Sequence, residues 1–228
     1  MAVKNDGRDP KTRILSACVR MFIERGYKNT KMLDILEQAE VAAGTFQNIF
    51  RTKDGVLLDL AQAMFENQFG IAAEIVGETP DTALVYSVET AIQLAIAEQN
   101  ENLREIYVEA YTQPKVMEFI LQRTSTKVYE LFAKYMPDCS ESDFYELNIG
   151  TAGIMRAYMV RKCDKYFTLN KKIERFLFLA LRAYNVPQPE RDKIVGFIQK
   201  LDIKEVSAAV MQKLFRALAM KFDFSPDF

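Results

Sequence analysis

Residues 30–53 read TKMLDILEQAEVAAGTFQNIFRTK. Two short apolar-periodic runs meet there across a tight break near residues 39–41. In the first, Met32, Ile35 and Leu36 recur at three- and four-residue steps and form one inward face, with Thr30 placed to cap its start. In the second, Phe46, Ile49 and Phe50 stand at i, i+3 and i+4, so they share the face that anchors the run. Ala42, Ala43, Gly44, Gln47 and Asn48 then point the other way. Two short helices joined by a tight turn, with another helix packed behind, make a helix-turn-helix. The second short helix of that motif enters the DNA major groove by its N-terminal part.

The outward residues suit that task. Small side chains at the helix start allow close approach, and Gly44 has none to obstruct a phosphate or a base edge. Gln47 and Asn48 can each pair bidentately with adenine, a contact that discriminates by roughly 1–3 kcal/mol. Thr30, Lys31 and Thr45 stand near two helix N-termini, where backbone N–H groups favour phosphate, and Lys53 can act similarly at the start of the next helix. The candidate DNA-contacting set is therefore Thr30, Lys31, Ala42, Ala43, Gly44, Thr45, Gln47, Asn48 and Lys53. Spacing alone leaves an alternative open. Any three short helices with an inward aromatic face show this pattern, and Gln-Asn on the outside is ordinary solvated surface.

Working outward, the preceding helix spans 10–25, with Pro10 early and Ile14, Cys18, Met21 and Phe22 as its inward stripe. Gly26 fits a left-handed helix terminus. After Lys53 the spacing predicts helices at 54–76, 81–99, 101–112, 115–136, 141–163, 169–184, 190–200 and 203–221, with Pro80, Pro114, Pro137, Pro187 and Pro189 at their boundaries. The nine N-terminal residues and the terminal DFSPDF read as mobile tails. Strand-like alternation is scarce, so the chain reads as all-α. Residues 1–55 form the helix-turn-helix domain and residues 56–228 a larger helical domain.

Composition narrows the function. The 228 residues include no histidine, which removes His-based triads, imidazole proton shuttles and H-E-x-x-H metal sites, and lowers the prospect of an enzyme. The three cysteines are widely spaced, so they read as reduced structural thiols, and no metal or cofactor is expected. Apolar runs such as 176–181 are too short to span a bilayer, and no export signal is evident, which makes the cytoplasm the expected compartment. Residues 1–58 hold ten Lys/Arg against seven Asp/Glu in a chain of net charge −1. That mild basic excess suits a polyanion-facing module, although solvated surface charge explains it as readily.

The run from Thr12 to Leu60 resembles the N-terminal domain of TetR-family transcriptional regulators. MFIERGY closes the first helix, Thr30 opens the next, and Asp34-Ile35, Ala39, Val41, Gly44-Thr45, Phe50 and Lys53 follow in register. The resemblance implies a homodimeric regulator, by default a repressor, that reads a quasi-palindromic operator in double-stranded DNA and is released by a small-molecule inducer. Three departures stand out. Glu40 occupies the turn where the family usually has glycine, Ala42 replaces the usual capping serine, and Gln47-Asn48-Ile49 replaces a Tyr-x-Tyr pattern. They motivate a rival reading, a helical ligand-binding or protein-interaction module that has lost specific DNA binding. An all-α enzyme using carboxylates or tyrosines is a further rival.

The C-terminal two-thirds offers no diagnostic motif. Its Tyr, Phe and Met residues (86, 107, 111, 117, 119, 129, 132, 135, 136, 144, 145, 155, 158 and 159) suit an at least partly apolar inducer pocket, and equally an aromatic core. No ligand-binding residue is singled out. Gly150, Ala152 and Gly153 mark one late helix, and Phe176–Leu181 is apolar nearly all round. By family analogy the helices at 141–163 and 169–184 form a four-helix dimer interface.

Overall fold

Caps and prolines divide the chain where its helices end. The structure is a computed structural model that describes residues 9–77 and 81–222, apart from the side chains of 65–69 and 220–222. The Pro80 boundary and the expected tails at 1–8 and 223–228 lie outside the described residues. Eleven α-helices follow in order: α1 (Pro10–Arg25), α2 (Met32–Gln38), α3 (Ala43–Ile49), α4 (Lys53–Val76), α5 (Thr82–Gln99), α6 (Glu101–Ala110), α7 (Pro114–Phe132), α8 (Glu141–Val160), α9 (Leu169–Ala183), α10 (Gln188–Lys200) and α11 (Ile203–Phe222). No strand occurs among the described residues.

Most starts carry a side-chain cap that satisfies an orphan backbone donor. Asp9 accepts from the Thr12 N–H at 3.1 Å, and Asp81 from Leu84 at 3.1 Å. Asn100 serves both Asn102 and Leu103, and Ser140 with Asp143 forms a capping box. Helix α7 ends four residues earlier than periodicity predicts, because the chain tightens into a 3₁₀ turn over Ala133–Tyr135.

Two apolar cores share helix α4. Its first half sends Val56, Leu57 and Leu60 into a head core with Ile14, Cys18, Phe22, Ile35 and Phe46; its second half sends Ala72 and Val76 into the body core. At the centre of the body runs α5, whose sequence TALVYSVETAIQLAIAEQ is apolar on nearly every face and is buried accordingly. It packs against α4 and α6–α11. A charged cluster ties α5, α6 and α9 together: the fully buried Lys172 ammonium meets the Glu98 carboxylate and the Arg161 carbonyl, and Arg104 reaches Glu98 at 3.2 Å. Cys18, Cys139 and Cys163 are free thiols.

Candidate nucleic-acid interface and ligand cavity

Helices α2 and α3 both pack on α1. Ile35, fully buried, anchors α2, while Phe46 and Phe50 anchor α3 with their rings 5.8 Å apart. Burying a side chain of this size stabilises by about 1.5–3 kcal/mol. Ile49 departs from its expected inward role. It is 36% exposed, because α3 ends at that residue and the inward stripe runs through Phe46 and Phe50.

The α2–α3 turn explains how Glu40 is tolerated. Val41 N–H donates to the Leu36 carbonyl at 3.0 Å and Glu40 N–H to Glu37 at 3.1 Å, which is a Schellman closure. That closure needs a left-handed residue, and Glu40 supplies it at φ +51°. Arg13 donates to the Glu40 carbonyl at 3.2 Å and pins the turn to α1. A non-glycine residue held in this region costs about 1–3 kcal/mol, partly offset because glycine would lose more chain entropy on folding. Glu40→Gly is therefore expected to stabilise the protein by about 1 kcal/mol, raising Tm by roughly 2–4 °C in a thermal melt followed by circular dichroism.

Ala42 takes the N-cap position of α3 with no side-chain hydrogen bond. Ala42, Ala43, Gly44, Gln47 and Asn48 are exposed, and Thr45 is half-buried at the edge of the same surface. A Cβ built on Gly44 would meet nothing within 4 Å, so the fold makes no demand for glycine there. Gly55 is the contrasting case, since its Cβ would lie 2.2 Å from the Phe50 carbonyl oxygen.

Two residues expected to contact phosphate have partners inside the head. Thr30 is buried, and its hydroxyl donates to the Gly26 carbonyl at 2.8 Å. The N-cap of α2 is the exposed Lys31 instead. Lys53 Nζ donates to the carbonyls of Tyr27 and Thr30 at 2.7 and 3.0 Å and lies 4.1 Å from the centroid of the Tyr27 ring. Burial holds its pKa below the ordinary lysine value. Thr30 thus closes the α1–α2 loop on itself, and Lys53 fastens that loop onto α4. Leu33, 76% exposed, and Arg51, exposed at φ +63°, also stand on the head surface without having been singled out by sequence.

The body holds a cavity of about 130 Å³. Of the aromatic and methionine residues that sequence proposed for a pocket, Tyr86, Tyr107, Tyr111 and Met155 line it. Phe132 and Phe144 stack with Tyr184 in the core, and Tyr129 is partly exposed. Sequence missed the polar lining, which includes Glu89, Gln93, Asn148 and Thr151. The wall also includes Val19, Phe22 and Ile23 of α1, so the cavity reaches the head. Helix α6 stands between the two. Leu103, Ile106 and Tyr107 line the cavity, while Asn102 donates to the Ile23 carbonyl at 2.8 Å and Glu109 pairs with Lys28 at 3.1 Å.

Helices α8 and α9 expose Ile149 (47%), Val160 (51%), Phe178 (43%) and Leu179 (40%). Gly150 and Gly153, also exposed, lie on α8. Among the described residues no helix is long and apolar enough to cross a membrane, and no acid, histidine or cysteine cluster could hold a metal.

The architecture is thus a helix-turn-helix head on a helical body that contains a cavity. Residues 14–60 match the family model of bacterial regulatory proteins, tetR family. The head is a TetR-family domain. No curated protein matches the sequence. Among solved structures, RolR in complex with its ligand resorcinol aligns over 82% of this chain and 92% of its own, at 18% identity and a TM-score of 0.62, so the two share a fold. A TetR-family transcriptional regulator from Syntrophomonas wolfei aligns over 78% of this chain and 97% of its own, at 20% identity and a TM-score of 0.49. A gamma-butyrolactone receptor, an ArpA-like protein, aligns over 90% of this chain and 97% of its own, at 14% identity and a TM-score of 0.47.

Proposed function

We propose that this protein is a DNA-binding transcriptional regulator, a repressor that leaves its operator when a small molecule fills the body cavity. The observation that carries the reading is the outward face of α3. Gly44, Gln47 and Asn48 are exposed there, and the fold does not require the glycine. Lys31 and Thr45 supply phosphate contacts, Ala42, Ala43 and Gly44 allow close approach, and Gln47 and Asn48 read base edges. Thr30 and Lys53 serve by positioning the loop. Occupancy of a promoter is enough to repress it. Binding to the duplex upstream of its own gene, measured by fluorescence anisotropy, is expected to weaken steeply with added salt, because phosphate contacts release counterions. Equal, salt-insensitive binding to random duplex would count against the reading.

Ligand control follows from the position of α6. One face of it lines the cavity, and the other holds the end of α1 through Asn102 and the loop that follows through Glu109. A ligand that fits best when α6 is displaced would reorient the head, shifting the population by no more than its differential affinity for the two arrangements. RolR, of the same fold, is a protein with a single-ring ligand, resorcinol. A cavity of about 130 Å³ matches that size class, since a cavity of about 150 Å³ takes benzene.

The exposed apolar face of α8 and α9 serves a homodimer. Exposed large apolar side chains on adjacent helices suit an interaction site, and a symmetric dimer buries the same residues on both copies. Two heads set about one helical turn apart then read a quasi-palindromic site.

A further inference from the structure

Among the polar side chains that helix α5 brings to the cavity wall, Glu89 and Gln93 stand one turn apart, on a helix otherwise dominated by apolar side chains. The Gln93 amide N–H donates to the Glu89 carboxyl, and the Tyr111 hydroxyl donates to the Gln93 amide oxygen at 3.2 Å. This relay fixes the sense of the Gln93 amide and makes the Glu89 oxygen it meets an acceptor at the wall. The surrounding wall is aromatic, with Tyr86, Tyr107 and Tyr111 joined by Phe22 and Phe176. No lysine or arginine stands among the described lining residues, so an anionic ligand would meet no countercharge there.

We propose that the cavity takes a single-ring ligand bearing a protonated amine, with the ammonium held on the Glu89 carboxylate and the ring against the neighbouring tyrosines. The inference rests on reading the cavity as the ligand site and adds the charge of the ligand. The choice of residue carries it. A neutral hydroxyl would be served as well by an amide, and an amide already stands one turn away. A carboxyl gains most over an amide where the ligand brings positive charge, because only the carboxyl can give up its proton and pair with a cation. Aromatic faces add attraction for the same cation.

Burial pushes the Glu89 carboxyl up to about 8, against the opposing effect of the Gln93 hydrogen bond. The titratable groups facing it among the described residues are Tyr86 on α5, Tyr107 on α6 and Tyr111 just after α6. All three phenols are themselves raised, first by burial. Helices α1, α4, α7, α8, α9 and α11 bring only uncharged side chains to the described wall. The empty site is therefore protonated near neutral pH, and an ammonium ligand must displace that proton.

Isothermal titration calorimetry on the full chain, with benzylamine, benzyl alcohol, benzoate and resorcinol, tests the proposal. Benzylamine is expected to bind at least about tenfold tighter than the other three at pH 7. Its affinity should rise by nearly tenfold per pH unit, about, between pH 6 and 7, with a proton released to buffer. Glu89→Gln should abolish that preference while leaving benzyl alcohol within about twofold of its original affinity, because the amide keeps the shape. If that variant fails to fold, the charge series and the pH dependence of the unaltered protein decide alone. Benzyl alcohol or resorcinol binding as tightly as benzylamine, or an affinity for benzylamine that does not rise with pH, overturns the charge assignment and leaves the cavity reading intact. Failure of all four compounds to bind overturns both.

Discussion

Replacing Gly44 with aspartate is expected to lower operator affinity by more than about a hundredfold, since a like charge placed against phosphate costs several kcal/mol. Helix content and unfolding temperature should stay close to those of the parent, because a Cβ at Gly44 meets nothing within 4 Å. Gly44→Ala separates fold from function more sharply. Alanine in a helix is favoured over glycine by about 0.5–1 kcal/mol, so the variant should gain stability. If close approach to DNA is why glycine stands there, the same variant should lose operator affinity. Opposite signs in the two assays, an unfolding melt and a DNA titration, are the expected signature. A variant more stable and equally tight on DNA would remove Gly44 from the interface.

The second large effect is expected at the proposed dimer face. Phe178→Glu should convert a particle of twice 26.2 kDa into one of 26.2 kDa by light scattering after size exclusion. The monomer should tolerate the change, since Phe178 is 43% exposed and the Arg182 guanidinium already lies 3.9 Å from its ring centroid, ready to pair with the new carboxylate. Each head would then meet its half-site alone. Losing the linked second contact should reduce operator affinity by about 10²–10⁴-fold. Ile149→Arg on α8 should behave alike, because Ile149 is also exposed on the apolar face. A Phe178→Glu variant that remains dimeric would move the interface elsewhere.

Sequence periodicity located nearly every helix, because caps and prolines are local signals. Asp9, Asp81, Asn100, Ser140 and Thr168 each cap the helix that follows. The inward anchors Phe46 and Phe50 were legible for the same reason, as residues four apart on one helix. What local reading missed depended on distant partners. Lys53 looked free for phosphate, yet its two carbonyl partners come from residues 27 and 30 on another element. Thr30 looked like a cap, but the helix starts later and the Gly26 carbonyl takes the hydroxyl. The cavity was the least legible feature, since its wall is assembled from eight helices. One signal was present all the same. A helix apolar on almost every face had placed a glutamate and a glutamine one turn apart, and both face the cavity.

The departures in the head have unequal consequences. Glu40 adds backbone strain and a negative charge on the turn without disturbing its Schellman closure. Ala42 leaves α3 without a side-chain cap, where serine would typically contribute about 1 kcal/mol. Neither change removes the outward surface that the proposed function requires. Selection of bound duplexes from a random pool by the full-length protein tests that function most directly. The account predicts enrichment of an inverted repeat whose half-sites lie about one helical turn apart, and loss of that enrichment with Gly44→Asp. A pool that stays random through repeated rounds would contradict it, and would leave a helical ligand-binding module whose head no longer reads DNA.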